Sequence, residues 1–381
     1  MGFQEHPATS KTSTVATMVV NLAAIRDNFR KLQRLSKTAE CAAVVKGDGY
    51  GHGMVESARV LRSAGARTFF VATAEDGVAL RRVLEQETIA VLGGYIPSMR
   101  GEFECHNLVP VLNSIEQVRF WSKVAQTAGC RMRAMLHIDT GMNRLGLRDG
   151  QISSLLSDGS WPSGIDCIAV MTHFSAADDL DFERCDLQRR RFLEVCAAFP
   201  DVRRSMANSA ASYFSDAFRA DLYRPGKSTF GINPLKGETN PLTEPASVNA
   251  PLLQVETVER GTPVGYSSTF RPARRSRIAT VGIGYVNGYP RTASNAGVMA
   301  IAGFFAPVIG RVSMDVTTID VSDVPEKALA LGSMVEVLGA TVTAEDVAKR
   351  CGTIEHEILI GLGRGCRRKY VDEQIANCCS Q

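Results

Sequence analysis

What most constrains this chain is an alternation, held from about Met18 to Ile232, of short β-branched or apolar runs with amphipathic stretches. The strand candidates are MVVNL, ECAAVVK, TFFVATA, TIAVLGG, LVPVLNS, RAMLHIDTG, IDCIAVMTHFS, RRSMANSA and LYRPGKSTFG. Between several of them lie MVESARVLRSAG, EDGVALRRVL, IEQVRFWSKVAQTAG and CDLQRRRFLEVCAAF, whose apolar residues recur three and four apart and so share one helix face. Strand–helix order of this kind implies parallel strands joined by right-handed crossovers. About eight such units in about 215 residues predict an α/β fold closed into a (β/α)8 TIM-like barrel, with a doubly wound sheet as the competing arrangement.

Near Lys236 the texture changes: GETNPLTEPASVNAP is turn-rich, and afterwards strand patterns dominate in PLLQVETVERG, RIATVGIGYV, APVIGRVSMDVTTIDVS and GSMVEVLG. A length of 381 residues also exceeds the usual single domain. The expected organisation is a disordered extension over 1–13, a barrel over 14–240 and a mainly β C-terminal domain over 241–381, decorated by helices at TAEDVAKRCG and around HEILIGLG.

Charge narrows the choice of partners. With 43 basic and 40 acidic residues the net charge is +3, too balanced to call for nucleic acid or an acidic membrane surface, though a small anionic ligand fits. The ten cysteines contain no CxxC pair, and the adjacent Cys378 and Cys379 lie in a polar tail, so neither a disulfide framework nor a metal site is expected. MGFQEHPATSKTST lacks the apolar core of an export signal, and no apolar run approaches the ~20 residues of a spanning helix. The expected location is the cytoplasm.

The segment AVVKGDGYGHG, residues 43 to 53, ends an apolar strand with a lysine and a glycine-alternating turn. In a barrel that end of a strand faces the active site, where partial desolvation of Lys46 would free its amine for imine formation with an aldehyde. A lysine snorkelling at a strand end is the plain alternative. The turn does not reproduce the GxGxxG spacing of a dinucleotide site.

AVVKGDGYGHG is similar to the cofactor-lysine motif of alanine racemases, and HIDTGMNRLG, MTHFSAADD, MANSAA, YRPGKSTFGINP, VGYSSTF, ATVGIGYVNGYPR and GRVSMD repeat the likeness in family order. The resemblance implies a barrel followed by a β domain. It also implies a homodimer whose active sites combine two subunits, a small amino-acid substrate, and pyridoxal 5'-phosphate as cofactor. On this resemblance Lys46 holds the cofactor as an imine, Tyr50 bonds its phosphate, and Asn208 and Ser209 with the backbone of Gly226 and Lys227 complete the phosphate cradle. Lys46 and Tyr266, the latter from the other subunit, are the two bases that move the α-proton on opposite faces. His173 bonds the tyrosine, and Arg224 points at the pyridine nitrogen. A guanidinium donates only, so the ring would stay unprotonated, which favours racemisation over transamination. Arg144 faces the substrate carboxylate; across the dimer Met314 offers it a backbone N–H, and Tyr285 and Asp315 line the entrance. The implied activity is interconversion of L- and D-alanine for peptidoglycan or for alanine catabolism.

Three positions depart from the family pattern. Many members carry, two residues before the aspartate of DTGM, a lysine whose carbamate positions the arginine; here the residue is His137, which forms no comparable anion, so Arg144 needs another partner. His356 stands near where the family usually places a phosphate-contacting tyrosine, and Asn287 stands where aspartate is commoner. Competing readings are a serine or broad-specificity racemase on the same scaffold, a pyridoxal-phosphate carrier without a committed reaction, and a nucleotide-binding barrel, which leaves Lys46 unexplained.

Overall fold

The computed structural model describes residues 15–156, 164–235 and 237–372. The expected extension over 1–13, the tail with Cys378 and Cys379, and Lys236 lie outside the described residues. The described chain divides into two compact units, one of residues 22–245 and one combining 15–21 with 246–372.

The first unit is the barrel. Its hydrogen-bonded path starts at Glu40–Cys41, runs through Leu222–Tyr223, Arg203–Ser205, Ile165–Met171, Met132–His137, Val109–Leu112, Thr88–Val91 and Thr68–Val71, and ends at Ala43–Val44, all parallel. The two ends are halves of one segment, 40–44, which pairs with Leu222–Tyr223 on one side and Thr68–Val71 on the other, so the ring closes. These strands are apolar on both faces because the barrel interior and the helices cover both: Thr68–Val71 and Val109–Leu112 are buried at every residue. The helix Ile115–Ala128 begins where Ser114 accepts the N–H of Gln117 and ends at Gly129 in the left-handed region. It buries Val118, Trp121, Val124 and Ala125 on one stripe. Trp121 closes an edge-to-face cluster with Tyr95 and Phe103, at centroid distances of 4.9 to 5.6 Å.

One strand expectation is corrected. MVVNL does not open the barrel; Thr17–Asn21 pairs antiparallel with Ala246–Val258 and parallel with Arg367–Val371. Its alternating burial marks a half-covered strand, unlike the continuous burial of barrel strands. The other eight strand candidates form the ring.

The second unit is an eight-stranded, mostly antiparallel sheet that carries the helices Ala344–Cys351 and Glu355–Gly365, as expected. Thr343 and Asp346 form a reciprocal capping box at the first of these helices. Its expected strand APVIGRVSMDVTTIDVS is interrupted. VGYSSTF is a turn, with Val264 and Phe270 bridged and Tyr266–Ser268 between them, and the GRVSMD segment is a loop between Phe304–Pro307 and Thr317–Asp320. Among the described residues no helix is long and apolar enough to cross a membrane.

Candidate active site

The barrel places its polar candidates at one end. Lys46, Asn113, His137, His173, Asn208 and Arg224 all lie at or just beyond the carboxyl ends of successive strands, the face where barrel sites are built.

After Lys46 the chain makes a tight left-handed turn: Gly47, Asp48, Gly49, Tyr50 and Gly51 all have φ between 53° and 87°. Three glycines adopt this region without steric cost, while Asp48 and Tyr50 do so under strain. Asp48 offsets part of that strain, since its Oδ1 accepts the N–H of Met54 at 2.8 Å and starts the next helix. The Tyr50 ring then stacks on Phe230 at 5.2 Å. Its hydroxyl presses so closely on Gly226 that a Cβ there would collide with it. Burial, with the Asp178 charge second, pushes the Tyr50 phenol up, which keeps it a hydrogen-bond donor at neutral pH. Burial lowers the Lys46 amine from its ordinary value, and the charges of Arg144 and Arg224 lower it further.

Arg224 is buried and is satisfied without an acid. Its Nη1 donates to Ser205 Oγ in a short contact, and its Nη2 donates to the Thr172 carbonyl at 2.6 Å and the Met206 carbonyl at 3.4 Å. These three bonds use the two terminal nitrogens and leave Nε–H for a ligand acceptor. Burial lowers Arg224 to about 10, so it remains a cation near neutrality. His173 is held well below its ordinary value by burial first and then by Arg224, Lys46, Arg144 and His137, so its imidazole is neutral.

The anion cradle is equally specific. Ser209 Oγ accepts the N–H of Ser228 at 3.2 Å, which leaves its own O–H to donate. The Asn208 side-chain oxygen is engaged by the N–H of Ala211 at 3.1 Å, so an anion could draw only on its NH2. The buried Ser228 Oγ has no hydrogen-bond partner among the described residues. The Lys227 side chain pairs with Asp178 at 2.8 Å, while in the same turn the Gly226 N–H donates to the Arg224 carbonyl at 3.0 Å. Lys46, Arg144, Arg224 and Lys227 thus gather at one site, where the exposed Asp178 is paired with Lys227 and the buried Asp139 carboxylate caps its own loop. Such a place suits an anionic ligand, and the lowered pKa of the Lys46 amine suits reaction with a carbonyl group. Among the described residues no group of three or more His, Cys, Asp or Glu is arranged to hold a metal ion.

Sequence reasoning missed the scaffold beneath these groups. Gln188, 2% exposed, donates to the His173 carbonyl at 3.1 Å and to Thr140 Oγ1 at 3.2 Å, and accepts from Ser175 N–H at 3.0 Å and Ser175 Oγ–H at 3.1 Å. Thr140 meets Thr172 Oγ1 at 2.8 Å, and the Thr172 carbonyl holds Arg224. A signal was present: Gln188 is the one polar member of the buried helix stripe Cys185, Gln188, Phe192, Cys196.

The remaining candidates lie in the β unit. Tyr266, 70% exposed, rides on a turn in which Gly265, Ser267 and Ser268 have φ of 70°, 58° and 49°. A Cβ added at Gly265 would meet Gly310 and Arg311, at the start of the GRVSMD loop, at 3.4 to 3.9 Å. Within that loop the Ser313 and Met314 carbonyls accept the N–H groups of Tyr285 and Val286 at 3.1 and 3.0 Å. Tyr266, Tyr285, Met314 and Asp315 therefore sit on connected turns, and the first three are large apolar side chains left exposed. Asn287 uses both halves of its amide: Oδ1 accepts from Gly284 N–H at 3.1 Å and Nδ2 donates to the Gly365 carbonyl at 3.3 Å, a second bond that an aspartate could not make. His356 is in the first turn of Glu355–Gly365.

Residues 20–234 match the sequence model of the alanine racemase N-terminal domain, and residues 246–370 match that of the alanine racemase C-terminal domain. The chain is 39% identical to an alanine racemase of Rhizobium meliloti over 370 residues, 94% of this chain and 97% of that one. It is 35% identical to an alanine racemase of Rickettsia canadensis over 358 residues, 94% and 99% of the two chains. Among solved structures, alanine racemase from Bartonella henselae with covalently bound pyridoxal phosphate superposes with a TM-score of 0.90 at 33% identity, covering 94% of this chain and all of that one.

Proposed function

This chain belongs to the alanine racemase family, and from that premise we propose how its residues divide the work. It interconverts L-alanine and D-alanine with pyridoxal 5'-phosphate as cofactor. The observation that carries the assignment of roles is a half-buried amine, Lys46, poised with Arg144 and Arg224 above a cradle of neutral donors.

The cradle fits the cofactor's phosphate: Tyr50 and Ser209 hydroxyls, the Asn208 amide and the backbone of Gly226 and Lys227 would hold it. Lys46 would bind the aldehyde, and Arg224 Nε–H would face the ring nitrogen. When bound, pyridoxal phosphate draws electron density from the substrate's α-carbon and so acidifies the α-proton. Lys46, its pKa lowered, takes or returns that proton on one face. Tyr266 does the same on the other, and neutral His173 bonds its phenol and steadies it. Arg224 keeps its own protons and donates none to the ring nitrogen, which limits charge delocalisation and keeps the reaction to proton exchange. Arg144 and the Met314 N–H receive the substrate carboxylate, and Tyr285 and Asp315 narrow the entrance to a small side chain.

We further propose a homodimer in which the exposed Tyr266, Tyr285 and Met314 of one subunit complete the partner's site, since such side chains are rarely left in water without a partner surface. Mixing inactive Lys46→Ala and Tyr266→Phe chains should then restore about a quarter of the wild-type activity, because half of randomly exchanged dimers carry one intact site. No recovery despite demonstrated subunit exchange would overturn the shared site. We place the enzyme in the cytoplasm, where thiols such as the eight described free cysteines persist. The relatives include one named as catabolic and a structure named as biosynthetic, and we propose that the D-alanine balance serves wall synthesis or alanine breakdown. Chiral separation after incubation with a panel of L-amino acids tests the substrate: alanine should turn over fastest, and a faster serine reaction would reassign it.

The cradle yields a separate expectation. Gly226→Ala would drive a methyl into the Tyr50 hydroxyl, which cannot retreat because its ring is buried against Phe230. Cofactor affinity, measured by absorbance titration, should fall by about tenfold or more, the worth of one hydrogen bond to a charged group. Unchanged affinity would remove Tyr50 from the phosphate site.

A further inference from the structure

Asn113, just beyond the strand Val109–Leu112, is buried and donates from Nδ2 to the Leu92 and Val111 carbonyls, each at 2.9 Å. These two acceptors fix the amide's orientation, because turning it over would set oxygen against oxygen. Its Oδ1 therefore faces His137 Nδ1 at 2.8 Å as an acceptor, and Nδ1 must carry the proton. Burial, with the Arg224 charge second, lowers His137 to about 4, so the ring is neutral across the physiological range. A neutral imidazole protonated at Nδ1 presents a lone pair at Nε2.

His137 is also the base of the loop that carries Arg144. Its carbonyl accepts the N–H of Leu147 at 2.8 Å, and the Leu147 carbonyl accepts that of Asp139 at 2.9 Å. Asp139 Oδ1 then gathers the N–H groups of Gly141, Met142 and Asn143 at 2.9 to 3.0 Å. The loop is preformed, while the exposed Arg144 makes no ion pair among the described residues. The cation rises from a built platform, close enough to His137 for its charge to help lower the pKa of that imidazole, which is a fixed, neutral acceptor.

The geometry points to His137 as the positioning residue for Arg144: in the substrate-bound enzyme Nε2 accepts an N–H of the guanidinium and aims it at the substrate carboxylate. This rests on the reading of Arg144 as the carboxylate-binding residue. A neutral acceptor orients the guanidinium without neutralising it, so its full charge stays available to the substrate.

The test is steady-state kinetics of the holoenzyme together with 15N NMR of its histidines. His137→Asn keeps a donor toward Asn113 but loses the Nε2 acceptor; it should raise KM for L-alanine about tenfold, with kcat and cofactor absorbance within about threefold of wild type. His137→Gln restores an acceptor at the reach of Nε2 and should return KM to within about twofold. In an Arg144→Ala background, His137→Asn should add less than about twofold, since the two residues act as one unit. The wild-type spectrum should show His137 protonated at Nδ1 at neutral pH.

If Arg144→Ala raises KM while His137→Asn does not, the positioning role is overturned and the carboxylate reading stands. If Arg144→Ala leaves KM unchanged, that reading itself fails. Fully additive effects, or protonation at Nε2, would overturn the proposal. Should the His137 variants misfold, 15N NMR of the wild-type holoenzyme with bound substrate gives the second reading: a proton on His137 Nε2 there overturns the proposal.

Discussion

Lys46→Ala is expected to abolish racemisation, lowering kcat by about 10³-fold or more, and to leave the protein without the imine absorbance on addition of pyridoxal phosphate. Two losses compound here. On the proposed roles the covalent anchor disappears, because Lys46 is the amine that the barrel presents beside the Tyr50–Gly226 cradle. The base on one face of the substrate disappears with it. The effect should be large because burial and two nearby arginines lower this amine's pKa, so a larger share of it is free base near neutrality than for an exposed lysine. The cradle does not depend on the lysine, so phosphate-dependent cofactor binding should persist with weakened affinity. Reduction with borohydride followed by peptide mapping gives the decisive reading. A wild-type yield of cofactor label on another lysine, together with retained activity, would show that Lys46 is not the anchor.

Tyr266→Phe should act on one enantiomer. Exchange of the α-proton in deuterated water is expected to fall about 10²-fold or more for L-alanine, the usual worth of a positioned acid–base group, and far less for D-alanine. The reason lies in the division of faces: Lys46 can still remove the proton it faces, while phenylalanine cannot serve on the other. The structure makes a packing explanation for such a loss difficult. Tyr266 is 70% exposed, and its turn is held by the Val264–Phe270 bridge, which does not involve the hydroxyl. Thermal stability should therefore stay near wild type. Equal losses for the two enantiomers would sink the assignment of one base to each face.

Much of this was legible in the chain. Eight of the nine strand candidates form the barrel, because strands covered on both sides must be short apolar runs. The glycines of GDGYG announced a turn that only left-handed residues can make, and five consecutive residues there have positive φ. The errors have one origin. MVVNL has the composition of a barrel strand, yet it pairs with Ala246–Val258, more than two hundred residues away, and nothing within five residues records the identity of a pairing edge. The GRVSMD segment, expected within the strand APVIGRVSMDVTTIDVS, is a loop that leaves Met314 exposed. Local propensity reports what a residue tolerates, and tertiary packing selects among the tolerated states.

By itself the sequence determined the architecture of the barrel, the position of Lys46 at a strand end, and the set of residues able to handle a proton. Those properties follow from local periodicity and from side-chain type. Only the tertiary structure decided the electrical state of the site: Arg224 held by Ser205 and two carbonyls instead of an acid, Gln188 tying His173 to Thr140, and His137 locked as its Nδ1 tautomer by Asn113. Each depends on a donor meeting an acceptor from a different strand or helix, and the energy of that meeting is set by burial and angle. Neither quantity is carried by the order of residues along the chain.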